Sequence, residues 1–238
     1  MAIQEQYLDY ELDGKTYEAY VAWEDSRASA PGVLVSHAWA GRGDFENKAA
    51  RWLASKGYVG FALDMYGKGI RGSSTEENSA LMTPLDEDRP QLQRRISGAF
   101  EVLQGLEIVD ASKSAAMGFC FGGLCVLDLA RVGTNVGGVI SIHGLFNAPE
   151  NTAGISVTAK VLCLHGYDDP MAPPDSVLAL ATEMTEAGAD WQLHAYGQTM
   201  HAFTNPEAND PEFGTVYSPL ADARAHQSIE NFLAELFT

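Results

Sequence analysis

A short glycine-rich stretch, Gly118-Phe119-Cys120-Phe121-Gly122-Gly123, constrains the fold of this chain more than any other. It follows a strand-like run at 113–117 and precedes 124–130, a run with the spacing of a helix. A strand, a Gly-x-nucleophile-x-Gly turn and a helix form a nucleophile elbow, where small neighbours let the backbone turn sharply and expose one side chain above a sheet. The exposed side chain here is the thiol of Cys120.

The rest of the chain alternates between strand-like and helix-like segments. We predict a hairpin over 7–23, strands at 32–36, 58–63, 136–142, 161–164 and 190–196, and helices at 90–106, 174–187 and 220–236. A further helix after residue 44 should carry Phe45, Ala49, Trp52 and Leu53 on one face. Residues 26–31 and 67–88 are interpreted as loops, the second with a polar segment at 75–88. The alternation predicts an α/β fold with a mostly parallel central sheet, an antiparallel N-terminal hairpin and helices on both faces, in a single domain over residues 1–238.

Charge and cysteine content exclude several classes of function. The formal net charge of −17 argues against nucleic acid or an anionic membrane as a partner. Three irregularly spaced cysteines give neither a disulfide framework nor a zinc-ligand pattern. The N-terminus has no signal-peptide pattern and no run is long enough to cross a membrane, so we expect a cytoplasmic protein.

Chain order suggests partners for the thiol. Ligands of parallel sheets bind beyond the carboxyl ends of the strands, and the loops carrying His37, Cys120, Asp169 and His201 each follow a strand, so we expect these loops to converge. A cysteine nucleophile needs an imidazole, which needs a third group to fix its orientation. The order Cys120, Asp169, His201 supplies all three; Asp168 could replace Asp169, but the proline four residues after Asp169 favours the latter.

Five motifs in order resemble those of the dienelactone hydrolase family. They are Val35-Ser36-His37-Ala38-Trp39-Ala40-Gly41, Leu63-Asp64-Met65-Tyr66-Gly67, Gly118-Phe119-Cys120-Phe121-Gly122-Gly123, His165-Gly166-x-x-Asp169-Pro170 and His201-Ala202-Phe203. The resemblance implies an α/β-hydrolase fold and hydrolysis of a small ester, lactone or thioester through an acyl-enzyme, without metal or organic cofactor. It implies Cys120 as nucleophile, His201 as general acid/base and Asp169 as its orienting group, with the backbone N–H groups of Phe121 and Trp39 forming the oxyanion hole.

Two positions depart from the family pattern. Ala38 stands where family enzymes that open dienelactones carry a Glu, and Asn205 where they carry an Arg that grips the substrate carboxylate. Arg89 and Arg94 are alternative carboxylate contacts. The full set of candidate substrate-binding residues is His37, Ala38, Tyr66, Arg89, Arg94, Phe203 and Asn205.

Alternative functions stay open from the sequence. The chain could be a small-molecule-binding or thiol redox-responsive protein that kept the fold after losing efficient turnover. Dehalogenation is a weaker alternative, because that chemistry usually uses an Asp nucleophile, which the elbow lacks. His143 and His165 are interpreted as structural, hydrogen-bonded histidines, and the oligomeric state is left open.

Overall fold

Residues 2–25 and 28–238 are described by the structure, which is a computed structural model. Ser26 and Arg27, part of the predicted loop at 26–31, lie outside the described residues. The fold is α/β with a mostly parallel central sheet and an antiparallel N-terminal hairpin, which confirms the predicted class. The chain divides into two compact units, residues 1–117 and 118–238, which are described separately below. One domain over residues 1–238 stays a prediction.

The first unit orders its strands around an antiparallel hairpin. Its elements are β1 (Ile3–Leu12), β2 (Lys15–Glu24), β3 (Ala30–Ser36), α1 (Asp44–Ser55), β4 (Val59–Ala62), α2 (Thr75–Glu87), α3 (Arg89–Gln104) and β5 (Val109–Phe119), whose last two residues enter the second unit. The strand order is β1-β2-β4-β3-β5, with β1 and β4 antiparallel to β2 and β3 parallel to β4. Asp13 and Gly14 both have positive φ, 54° and 71°, as a tight hairpin turn requires.

Apolar side chains of β3, β4 and α3 form the core of this unit. Both faces of the short parallel strands are buried, which explains their continuous apolar sequences. Helix α3 buries one stripe at helical spacing, as predicted. Its fully buried side chains include Val33, Leu34, Val35, Phe61, Leu92, Ile96, Phe100 and Leu103.

One prediction in this unit is wrong and another is only partly right. The polar segment at 75–88 is the helix α2, whose N-cap Ser74 accepts a hydrogen bond from the Glu77 backbone. The spacing of Ser74 and Glu77 is that of a capping box, which indicates the start of a helix. The helix was not predicted because its sequence contains Pro84 and is only weakly amphipathic. On α1 the buried residues are Glu46, Asn47, Ala50, Leu53 and Ala54. Of the four residues predicted to share one face, Leu53 is therefore buried, while Phe45, Ala49 and Trp52 are partly exposed.

The second unit carries parallel strands and three long helices. Its elements are α4 (Phe121–Arg131), β6 (Gly138–Ile142), a short 3-10 helix (Glu150–Thr152), β7 (Lys160–Gly166), α5 (Pro174–Glu186), β8 (Trp191–Tyr196), β9 (Asn209–Asp210), β10 (Thr215–Val216) and α6 (Pro219–Leu236). Strands β6, β7 and β8 pair in parallel in that order. The carboxyl ends of these strands therefore lie at one edge.

A buried ion network ties α4 to α5. The Arg131 guanidinium donates to both carboxylate oxygens of Glu183, at 2.8 and 2.7 Å, and to Asp128 Oδ1 at 3.1 Å. It also donates to the Phe146 carbonyl at 3.1 Å, so the charge on Arg131 is well satisfied despite its burial. No helix in the described part of the chain is long and apolar enough to span a membrane.

Candidate active site

Cys120 occupies the sharp turn between β5 and α4. Its backbone angles, φ 55° and ψ −117°, are unusual for a residue with a side chain, and such strain is concentrated at functional sites. The Cys120 N–H donates to the Ile142 carbonyl at 3.0 Å, which ties the turn to the end of β6. Cys120 is partly exposed, whereas Cys125 and Cys163 are buried. Burial raises the pKa of Cys163 to about 12, so that thiol stays protonated.

The glycines around Cys120 are required by close backbone approach. A Cβ on Gly118 would collide with the backbone of Gly122, the second residue of α4. A Cβ on Gly123 would lie 2.7 Å from Gly144 Cα. The sequence Gly118-x-Cys120-x-Gly122-Gly123 therefore allows the strand end, the turn and the helix start to pack directly on one another.

His201 and Asp169 form a buried hydrogen-bonded pair. Nδ1 of His201 donates to Asp169 Oδ2 at 2.7 Å, and Asp169 Oδ1 accepts from the Met171 N–H at 2.8 Å. Both side chains are buried, while Asp168 is exposed. The His201 backbone is held as well, because its N–H donates to the Gly214 carbonyl at 2.9 Å. The hydrogen bonds on Asp169 leave Nε2 of His201 as the ring atom available to Cys120.

Cys120 influences the pKa of His201. Burial lowers the pKa of His201, but the negative charge of Cys120 and the hydrogen bond to Asp169 outweigh that effect and raise the pKa to about 10. Cys120 acts on this pKa first through charge and to a smaller extent through a hydrogen bond, although Nε2 has no partner of full hydrogen-bond geometry among the described residues. Cys120, His201 and Asp169 are thus brought together as the sequence order predicts.

Two further histidines, His143 and His165, are close enough to His201 for its charge to lower their pKa values. Burial lowers the pKa of each most strongly and the charge of His201 adds to it, while at His165 the charge of Asp169 opposes both. His143 Nε2 lies 2.9 Å from Thr204 Oγ1, which fits the prediction of a hydrogen-bonded structural histidine. His165 is fully buried with its ring 5.4 Å from that of Phe146, which fits the structural part of the prediction, but neither ring nitrogen has a hydrogen-bond partner among the described residues.

In the first unit, the predicted site residues on the loop after β3 make hydrogen bonds to neighbouring backbone groups. His37 is fully buried; Nδ1 donates to the Ala38 carbonyl at 2.6 Å and Nε2 accepts from the Met65 N–H at 3.0 Å. The Tyr66 hydroxyl donates to the Trp39 carbonyl at 2.8 Å. Because both nitrogens of His37 already hold the loop, its predicted contact with substrate is not supported. Ala38 and Trp39 are partly exposed.

The remaining predicted substrate contacts differ in burial and in hydrogen-bond partners. Arg89 is buried and pairs with Asp86 at 3.5 Å, and Arg94 is exposed on α3. Phe203 is fully buried, with its ring 5.2 Å from that of His143, so it belongs to the core rather than to an open pocket. Asn205 is partly exposed, and its Oδ1 accepts from the Glu207 N–H at 3.0 Å.

Sequence reasoning missed Glu46 and Arg71. Glu46 is buried; its Oε2 accepts from the Gly43 N–H at 2.8 Å and its Oε1 from the Ala38 N–H at 3.4 Å. Burial raises the pKa of Glu46, and hydrogen bonds from backbone N–H groups, followed by the charge of Arg71, oppose that effect. The spacing of Gly43 and Glu46 is that of a capping box, which could have signalled this contact. No sequence pattern marks Arg71.

Comparisons with known proteins agree with these observations. The model of the dienelactone hydrolase family matches residues 17–237. A carboxymethylenebutenolidase from Pseudomonas putida is 24% identical over 236 residues, covering 94% of this chain and 93% of the relative. Two solved structures, one designated m3DLH and one a dienelactone hydrolase-like promiscuous phosphotriesterase from metagenomic libraries, are each 31% identical with full coverage of both chains, at TM-scores of 0.95 and 0.94. Among the described residues, no group of three or more His, Cys, Asp or Glu side chains could hold a metal ion.

Proposed function

Because this chain belongs to the dienelactone hydrolase family, we propose that it hydrolyses small carboxylic esters, lactones or thioesters through an acyl-enzyme on Cys120. The observation that carries this proposal is the buried pair of Asp169 and His201, at 2.7 Å, with a pKa of His201 raised by the charge of Cys120. A thiolate beside an imidazolium is the reactive form of a catalytic cysteine.

The acylation step follows from this geometry. The Cys120 sulfur attacks the substrate carbonyl carbon, and the electron pair of the C=O bond moves to oxygen. The backbone N–H of Phe121, the first residue of α4, stabilises that oxyanion, because helix N-termini present N–H groups to anions. His201 Nε2 gives its proton to the departing alcohol or thiol as the tetrahedral intermediate collapses to a thioester.

Deacylation reverses the proton transfer. Neutral His201 takes a proton from water, and the resulting hydroxide attacks the thioester carbon. Collapse of this second intermediate releases the carboxylic acid, and Cys120 leaves as thiolate beside the imidazolium. Asp169 keeps the proton on Nδ1 of His201 throughout, so that Nε2 is the atom that exchanges protons. The second oxyanion donor implied by the family resemblance is the Trp39 N–H.

Neutral substrates should be preferred over anionic ones. Asn205 replaces the family arginine that binds carboxylate, and its side-chain oxygen accepts a hydrogen bond from its own loop. The net charge of −17 also repels anions. The relative described as a promiscuous phosphotriesterase adds a neutral phosphotriester to the substrates that should be assayed.

The proposal is tested with p-nitrophenyl acetate and single substitutions. Cys120→Ala and His201→Ala should each lower kcat/KM by at least about 10³-fold. Cys125→Ala, which removes a buried thiol from the same helix, should retain activity. Mass spectrometry of acid-quenched wild-type enzyme should find one acetyl group on the peptide that contains Cys120. Full activity in Cys120→Ala, with no acetylated cysteine, would disprove the mechanism.

A further inference from the structure

His143 is held in an uncommon backbone conformation at the end of β6. Its φ is 38°, in a region that residues other than glycine rarely adopt. Its N–H donates to the Leu164 carbonyl of β7 at 2.8 Å, and the preceding residue, Ile142, accepts the hydrogen bond from Cys120. The backbone of His143 is therefore fixed to the same strand end that fixes the nucleophile.

The side chain of His143 contacts the segment that carries His201. The two imidazole rings meet edge to face, with centroids 5.2 Å apart and an interplanar angle of 64°. His143 Nε2 lies 2.9 Å from the hydroxyl of Thr204, three residues after His201, and both groups are buried. The Phe203 ring also packs edge to face with His143, with centroids 5.2 Å apart and an interplanar angle of 81°. His143 is thereby anchored at one end by Thr204 and touches His201 with its ring.

The charges of the two histidines differ. Burial, and then the positive charge of His201, lower the pKa of His143 well below its ordinary value, so His143 is neutral. The pKa of His201 is raised to about 10, so His201 carries the proton. A second cation at this distance would be strongly unfavourable in a buried site. A neutral ring at this position can support an imidazolium without competing for its proton.

We propose that His143, anchored by Thr204, is a positioning residue that holds the ring of His201 in line with Cys120. This inference rests on the proposed function, in which His201 exchanges protons with Cys120 and substrate. His143 itself touches neither Cys120 nor substrate in this role; it acts through the orientation of His201. Small errors in the orientation of a catalytic group lower rates by tenfold or more.

Thr204→Val and His143→Phe test the anchor, because each removes one partner of the hydrogen bond and keeps the shape of the side chain. Each should lower kcat/KM for p-nitrophenyl acetate about tenfold, mainly in kcat. The double variant should be no worse than either single variant, since all three lack the same contact. Thr152→Val is the matched control: its buried hydroxyl donates to the Pro149 carbonyl, outside the site, and activity should not change.

A second readout separates this inference from the proposed function. The rate at which iodoacetamide alkylates Cys120, followed against pH, reports the thiolate–imidazolium pair whether or not an ester is hydrolysed. Thr204→Val and His143→Phe should shift this profile to higher pH, and Thr152→Val should not. Unchanged alkylation profiles and kinetics in folded Thr204→Val and His143→Phe would overturn the positioning role. Full activity of Cys120→Ala would overturn the ester mechanism and leave the alkylation result standing.

Discussion

At the scale of single residues, Asp169 differs from its neighbour Asp168 in burial and in partners. Asp169 is buried and both carboxylate oxygens accept hydrogen bonds, one from His201 and one from the Met171 N–H. Asp168 is exposed. Adjacent residues of the same type therefore provide a matched comparison of site and surface.

Asp169→Asn should lower kcat/KM by about 10²- to 10⁴-fold, because the amide no longer fixes the proton on Nδ1 of His201. Loss of the carboxylate also removes one group that raises the pKa of His201, so this pKa should fall. Steady-state kinetics and NMR titration of the imidazole check the two expectations. Asp168→Asn is the control, and an equal loss of activity in both variants would contradict the assignment.

The sequence could not predict which side chains of the candidate site are buried. The order and post-strand positions of Cys120, Asp169 and His201 are written in local motifs, so their proximity could be predicted from the sequence. His37 and Phe203 also lie in those motifs, yet both are fully buried. A motif shows that a residue is near the turn; whether its side chain faces a ligand or the core depends on packing between segments distant in sequence.

At the scale of secondary-structure elements, the contact between the end of β5 and the start of α4 depends on Gly118. A methyl group there would collide with the Gly122 backbone, and backbone atoms cannot move aside as a flexible side chain can. Gly118→Ala should therefore destabilise the protein by about 1–3 kcal/mol or more and displace Cys120, with a loss of activity of about 10²-fold. Urea unfolding and ester hydrolysis measure the two effects.

Gly197→Ala is the control for this substitution. No atom lies within 4 Å of a Cβ at Gly197, and its φ is not in the positive range. Alanine there should leave stability unchanged or raise it by up to about 1 kcal/mol, because it restricts the unfolded chain. If Gly118→Ala were as stable and active as Gly197→Ala, the close approach of β5 and α4 would not be required.

Element boundaries show where hydrophobic periodicity works and where it fails. The buried stripe of α3 and the apolar runs of β3 and β6 were predictable because their burial is continuous. Helix α2 buries only Leu85, so its sequence carries almost no apolar period, and its N-cap at Ser74 was the remaining signal. On α1 the buried face includes Glu46 and Asn47, which hydrophobic periodicity assigns to solvent.

At the scale of the whole molecule, buried neutral histidines make stability depend on pH. Burial lowers the pKa of His37, His143 and His165 below 6.5, the ordinary value. Below pH 6.5 the unfolded chain therefore binds more protons at these positions than the folded protein, and stability falls as the pH falls. His201 does not contribute to this slope, because its raised pKa keeps it protonated in the folded state and the unfolded chain is also protonated below 6.5.

His165→Phe should reduce this acid sensitivity. It removes one histidine whose protonation favours unfolding, worth at most about 1.4 kcal/mol per pH unit. Since neither ring nitrogen of His165 has a hydrogen-bond partner among the described residues, the apolar ring should cost little stability at neutral pH. Urea unfolding of both proteins at pH 7 and pH 5 measures the difference. An equal loss of stability on acidification in both proteins would contradict it.

The backbone pairing of His201 divides the long connection between β8 and α6. The His201 N–H donates to the Gly214 carbonyl, and the His201 carbonyl accepts from the Val216 N–H at 3.1 Å. The segment at 205–213 therefore begins and ends close to His201. Most of that segment is exposed. Because backbone hydrogen bonds to Gly214 and Val216 hold His201 independently of this segment, changes in its length or composition can be absorbed without moving the histidine.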